Sequence, residues 1–108
     1  MKDELSNLYE TVKSRKSHVV ENSYTCYLFD EGLNKILKKC GEECSEVIIA
    51  SKDGQQEPLK NEICDLFYHI IVLMVNQGIE LKDIYSILAE RSQKIGNRKV
   101  PHQTDHNS

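Results

Sequence analysis

Between Asp30 and Asp53 apolar side chains return every three or four positions, at Leu33, Ile36, Leu37, Cys40, Cys44, Val47 and Ile48. At about 100° of rotation per residue these positions form one stripe along a long helix, and Asp53-Gly54 supplies its stop. A striped helix has to bury that stripe, so the rest of the chain must provide a matching surface. Leu5, Leu8, Tyr9 and Val12 predict an earlier amphipathic helix over about residues 3–17. The stretch Ser17 to Thr25, with His18, Asn22 and Ser23, loses the period and reads as a loop. Pro58 stands where a first-turn proline belongs, and the helix it opens runs to about Gln77. That helix is apolar on most sides after Asp65, which predicts burial within one subunit and between subunits. Gly78 ends it, and Leu81, Ile84, Tyr85 and Leu88 mark a further helix to about Lys94, with Gly96 as terminator. With no alternating strand pattern and no internal repeat, the expected fold is all-α, a four-to-five-helix bundle in which the two central helices pair antiparallel.

The chain has 108 residues, enough for one domain and a modest core, so a partner subunit would add useful burial. Residues 1–97 are read as the domain and residues 98–108 as a polar, flexible tail. A formal net charge of −3 argues against nucleic acid or an anionic membrane as partner, since both require a basic face. Any phosphate ligand must then be recruited locally. The apolar run Ile70 to Val75 is far too short to span a bilayer, and Met1 to Glu10 lacks the apolar stretch of a secretory signal. A cytoplasmic location is expected. Cys26, Cys40, Cys44 and Cys64 have no zinc-site spacing, and in a reducing compartment they read as small, mostly buried side chains.

The chemistry is concentrated in Gly41-Glu42-Glu43-Cys44-Ser45-Glu46 and, after fifteen intervening residues, Glu62-Ile63-Cys64-Asp65. Glu43 and Glu46 overlap on one side of their helix, Glu42 and Glu46 do likewise, and Glu62 and Asp65 repeat the arrangement on the next. Glu43 falls at the edge of the stripe Ile36, Cys40, Val47, and Glu62 beside Leu59, Leu66 and Leu73. If those stripes pack together, the acids meet at the rim of one interface, where like charges repel and burial raises their pKa values unless a cation neutralises them. An isolated Glu-Glu-x-x-Glu is ordinarily a solvated face. Here a second acidic pair lies on the neighbouring helix, within an otherwise apolar segment where unpaired acids are costly. All-oxygen ligation suits Mg²⁺, with Mn²⁺ as a possible substitute, and such an ion can activate water toward phosphorus while neutralising a departing pyrophosphate.

Lys35, Lys38 and Lys39 precede the acids. They fit either helical ion pairing, Lys39 with Glu43, or a clamp on phosphate. His69 could support Asp65 from four residues on, but on so apolar a helix it reads first as a satisfied core or interface histidine.

Ser23-Tyr24-Thr25, Leu28-Phe29, Gly32-Leu33, Lys35 to Lys39, Gly41-Glu42-Glu43, Glu46 to Ala50, Asp65-Leu66 and Tyr68-His69 together resemble the phosphoribosyl-ATP pyrophosphatase family, over about residues 5–95. The two acidic motifs alone are similar to those of the wider all-alpha nucleoside triphosphate pyrophosphohydrolase superfamily. The Ser-Tyr-Thr segment and the lysines select the histidine-pathway branch. The resemblance implies Mg²⁺-dependent hydrolysis of 1-(5-phosphoribosyl)-ATP to 1-(5-phosphoribosyl)-AMP and pyrophosphate, the second step of L-histidine biosynthesis, by a stand-alone homodimer. It also implies metal ligation by Glu43, Glu46, Glu62 and Asp65, and substrate contacts from Tyr24, Thr25, Lys35, Lys38 and Lys39. Glu42, Glu43 and Glu46 form the implied catalytic set, with Glu42 as a further ligand or a positioner of the attacking water. The chain departs from the family pattern at Asn22, where glycine or a similarly small residue is common, and at Cys44, where alanine is common.

Two other readings use the same helices. A house-cleaning pyrophosphohydrolase acting on non-standard nucleoside triphosphates would keep the acids, whereas a non-catalytic helical interaction module would have no use for them.

Overall fold

The computed structural model describes residues 3–96, and the tail expected over 98–108 lies outside the described residues. Five helices follow one another: α1 (Glu4–Ser17), α2 (Tyr24–Glu31), α3 (Leu33–Asp53), α4 (Gln56–Gln77) and α5 (Leu81–Gly96), and no strand occurs among the described residues. The ends follow local chemistry. The Asp3 side chain accepts the Ser6 N–H at 2.9 Å to cap α1, and the Ser23 hydroxyl accepts the Cys26 N–H at 3.1 Å to cap α2. At the end of α4, Gly78 turns left-handed (φ 77°) while its N–H reaches the Val75 carbonyl at 3.2 Å and the Ile79 N–H reaches Met74 at 2.9 Å, a Schellman closure.

The structure first corrects the sequence reading in the segment before α3. Residues 17–25 were expected to be loop and one helix was expected from Asp30 onward, but the chain is already helical from Tyr24 and breaks at Gly32. Gly32 has φ 96° and ψ −174°, a conformation that no helix interior accommodates and that side chains avoid, so the helix must stop and restart around it. In the remaining loop Asn22 sits at φ 65°, which explains why this position suits glycine or asparagine. Gln56 begins α4 ahead of Pro58, which is nevertheless in the first turn, where its missing N–H is harmless.

α3 and α4, joined only by Gly54 and Gln55 and packed along their length, form an antiparallel hairpin, and α1 and α2 lie against it. The core is Tyr9 and Val12 of α1, Leu28 of α2, Ile36 and Cys40 of α3, and Ile71, Val72, Met74 and Val75 of α4. Leu28, Ile36 and Val72 are wholly buried, each worth ~1.5–3 kcal/mol relative to exposure. Of the cysteines only Cys40 is buried; Cys26 is half-buried, and Cys44 and Cys64 are exposed, because the latter two fall off the face that α3 and α4 share. The expected stripe is likewise narrower than its pattern, with Leu33, Leu37 and Ile48 exposed.

α5 stands apart. Leu81 and Ile84 reach the core, and the Tyr85 hydroxyl donates to Asp3 at 3.2 Å, but Ile87, Leu88 and Ile95 are exposed. Phe67 and Ile70 of α4, expected to be buried, are also open to solvent on this chain. No single helix among the described residues is long and apolar enough to cross a membrane.

Candidate functional site

On α3 the face toward α4 carries Ile36, Cys40, Glu43, Val47 and Ala50, so Glu43 lies within the buried stripe and is itself half-buried. On α4 Glu62 is half-buried beside Ile63 and Leu66, and Asp65 is exposed on the adjoining edge. The antiparallel hairpin brings one carboxylate oxygen from each of Glu43, Glu62 and Asp65 within 4.8 Å of one another. Glu46 is exposed and stands at the border of this trio, contributing through its charge. Burial pushes the Glu62 acid up, and the charges of Glu46, Asp65 and Glu43, with a hydrogen bond that the protonated Glu62 donates to Glu43, push it further.

Glu42 belongs elsewhere. Its carboxylate lies 3.1 Å from the Lys39 ammonium, whose hydrogen bond holds Glu42 below the usual carboxylate range, with Lys38 and Lys35 adding to the effect. The pairing of Lys39 with Glu43 suggested by helical spacing is therefore replaced by one with Glu42. Lys38 is exposed, and Lys35 sits over the Tyr27 ring, 5.6 Å from its centroid.

α2 delivers Tyr24 and Thr25 to the same region. The Tyr24 hydroxyl lies 3.1 Å from Nε2 of His69, and its ring stacks on Tyr27 with centroids 6.0 Å apart. Burial raises the Tyr24 phenol; Lys39 and Lys35 oppose that and Glu43 reinforces it, so this hydroxyl shares the field of both lysines and the acids. Thr25 bonds the Tyr68 hydroxyl. His69 is buried and satisfied, its Nδ1 donating to the Asp65 carbonyl at 2.8 Å, as read from the apolar character of its helix. Tyr27 was not singled out in the sequence, and Tyr68 was noted there only as part of the family pattern. The signal for Tyr27 was present in Ser23, a helix cap that puts Tyr24, Tyr27 and Leu28 at helical spacing.

The donor set is all carboxylate, drawn from two helices, and one member, Glu62, has its pKa raised by burial and by its acidic neighbours. That chemistry fits a hard divalent cation, and the lysines beside it fit the phosphates such a cation would share. A helical bundle with acids facing one another across its central hairpin has the architecture of the all-alpha nucleoside triphosphate pyrophosphohydrolases. Residues 5–92 match the family model described as phosphoribosyl-ATP pyrophosphohydrolase, and the chain belongs to that family. It is 54% identical over 95 residues to a phosphoribosyl-ATP pyrophosphatase of Clostridium acetobutylicum, an alignment spanning 88% of this chain and 86% of the relative. A Bacillus cereus protein of the same name is 49% identical over 102 residues, covering 92% of this chain and 95% of its own. A histidine biosynthesis bifunctional protein of Caldanaerobacter subterraneus is 51% identical over 90 residues, which make up 83% of this chain but 44% of that relative.

Proposed function

We propose that this chain hydrolyses 1-(5-phosphoribosyl)-ATP between its alpha and beta phosphates, releasing pyrophosphate and 1-(5-phosphoribosyl)-AMP, in the second step of L-histidine biosynthesis. Relatives named phosphoribosyl-ATP pyrophosphatase match almost the whole chain at about half identity, which supports the substrate. The observation that carries the chemistry is the convergence of Glu43, Glu62 and Asp65 from two helices.

Glu43, Glu46, Glu62 and Asp65 would hold Mg²⁺, or Mn²⁺ in its place. The ion, when bound, supplies charge neutralisation to the phosphates and acidifies water. Lys35, Lys38 and Lys39 bind the phosphate chain, and their positive field offsets the negative charge that grows on the leaving pyrophosphate. Glu42, held ionised by Lys39, positions the attacking water. Tyr24 and Thr25, fixed by their bonds to α4, line the substrate side of the cluster.

The working unit is a homodimer in the cytoplasm. Exposed Phe67 and Ile70 on α4, Ile48 and Ile49 on α3, and the outer residues of α5 support a second copy as the cover for these apolar surfaces.

Phosphorus NMR of the products formed in oxygen-18 water tests the reaction. The expected result is pyrophosphate with the monophosphate product, one of them carrying the isotope shift that identifies the phosphorus attacked. Release of orthophosphate, or a preference for plain nucleoside triphosphates in a substrate panel, overturns the assignment.

A further inference from the structure

His69 makes two hydrogen bonds, Nδ1 to the Asp65 carbonyl at 2.8 Å and Nε2 to the Tyr24 hydroxyl at 3.1 Å. A carbonyl can only accept, so the hydrogen of the first bond resides on Nδ1. In the neutral ring Nε2 then offers a lone pair, and Tyr24 has to donate into it. The ring cannot turn over to exchange these roles without repacking. It is 6% exposed and is met edge-on by Tyr68 at 4.8 Å and by Tyr24 at 5.8 Å.

With its one hydrogen committed inward, the half-exposed Tyr24 phenol presents only lone pairs to whatever binds beside Glu43 and Lys39. Phosphate oxygens bear no hydrogen to give it. The sugar esterified to the alpha phosphate does, and that sugar is the donor-bearing part of a nucleotide nearest the carboxylates that would hold its phosphates.

We propose that Tyr24 recognises a ribose hydroxyl of the nucleotide as a hydrogen-bond acceptor, and that His69 is the positioning residue that fixes this polarity. The inference rests on the phosphoribosyl-ATP reading and adds to it a basis for telling ribose from deoxyribose.

The test compares kcat/KM for phosphoribosyl-ATP and for its 2′-deoxy and 3′-deoxy counterparts. The wild-type protein is expected to favour the ribo compound over one deoxy compound by about tenfold, the scale of one hydrogen bond. Tyr24→Phe should slow the ribo compound to the level of that deoxy compound and leave the latter nearly unchanged, so that the preference disappears. His69→Leu should abolish the preference too, and His69→Gln, whose side-chain oxygen can accept from Tyr24, should restore it. Nitrogen-15 NMR of the histidines in the wild-type protein should show the His69 proton on Nδ1, a readout independent of whether any variant folds. Full discrimination retained in Tyr24→Phe, or a proton on Nε2, overturns the proposal. A wild-type protein that releases no pyrophosphate from the ribo compound overturns the underlying reaction instead, and the ring tautomer distinguishes the two failures.

Discussion

The Lys39 ammonium meets Glu42 at 3.1 Å, one residue short of the Glu43 partner that an i,i+4 spacing offers. Glu43 is thereby left to face Glu62 and Asp65 across the hairpin, and two adjacent glutamates acquire different environments: one neutralised by lysine, the other crowded by acids.

Replacing each in turn should separate their roles. Glu43→Gln removes a carboxylate from the trio, and the Mg²⁺ concentration giving half-maximal pyrophosphate release should rise by about tenfold or more. Glu42→Gln should leave that concentration nearly unchanged and lower kcat by about 10²-fold, the scale of a misplaced attacking water. A metal titration of both variants checks the split, and equal shifts in metal requirement would contradict it.

Crowding in the trio predicts a pH signature in metal-free protein. The Glu62 pKa is raised above its ordinary value by burial and by its neighbours' charge, so the folded chain binds a proton more readily than the unfolded one. Its contribution is present below the unfolded value and is lost as pH rises through the folded value, so stability should fall across that interval. Melting temperatures measured in chelator from pH 4 upward should show the decline, with Mg²⁺ reversing it. A profile insensitive to Mg²⁺ would remove the cluster as its origin.

Gly32 offers a test of the α2–α3 break free of side-chain collisions. A Cβ placed there meets nothing within 4 Å, yet the backbone has φ 96°. Gly32→Ala should therefore destabilise by ~1–3 kcal/mol through conformational strain alone. The denaturation midpoint should drop with an unchanged slope.

Phe67 and Ile70 lie exposed on the face of α4 turned away from the core. If a second copy covers them, Phe67→Asp combined with Ile70→Asp should convert a dimer to a monomer in sedimentation velocity while far-UV circular dichroism stays helical. A wild-type protein that sediments as a monomer would remove the dimer from the proposed function.

Much of this protein is present in its local pattern. Helix α1, the long α3, α4 and the start of α5 follow from apolar spacing, and Gly54 and Gly78 mark ends that spacing alone would leave open, because a helix face and a left-handed stop are properties of a few neighbouring residues. The acids stand out for the same reason, as carboxylates set among apolar positions. The rest depended on what the helices meet. Whether Leu37 or Ile36 turns inward, whether Lys39 reaches Glu42 or Glu43, and whether Glu46 joins Glu43, Glu62 and Asp65 or stands at their border are decided by a few degrees of helix rotation in the packed hairpin. The Tyr24–His69 bond joins residues 45 positions apart and exists only because α2 lies against α4. Spacing along a chain records which side chains share a face; only the close packing of four helices, each filling the grooves of the others, selects which face looks where.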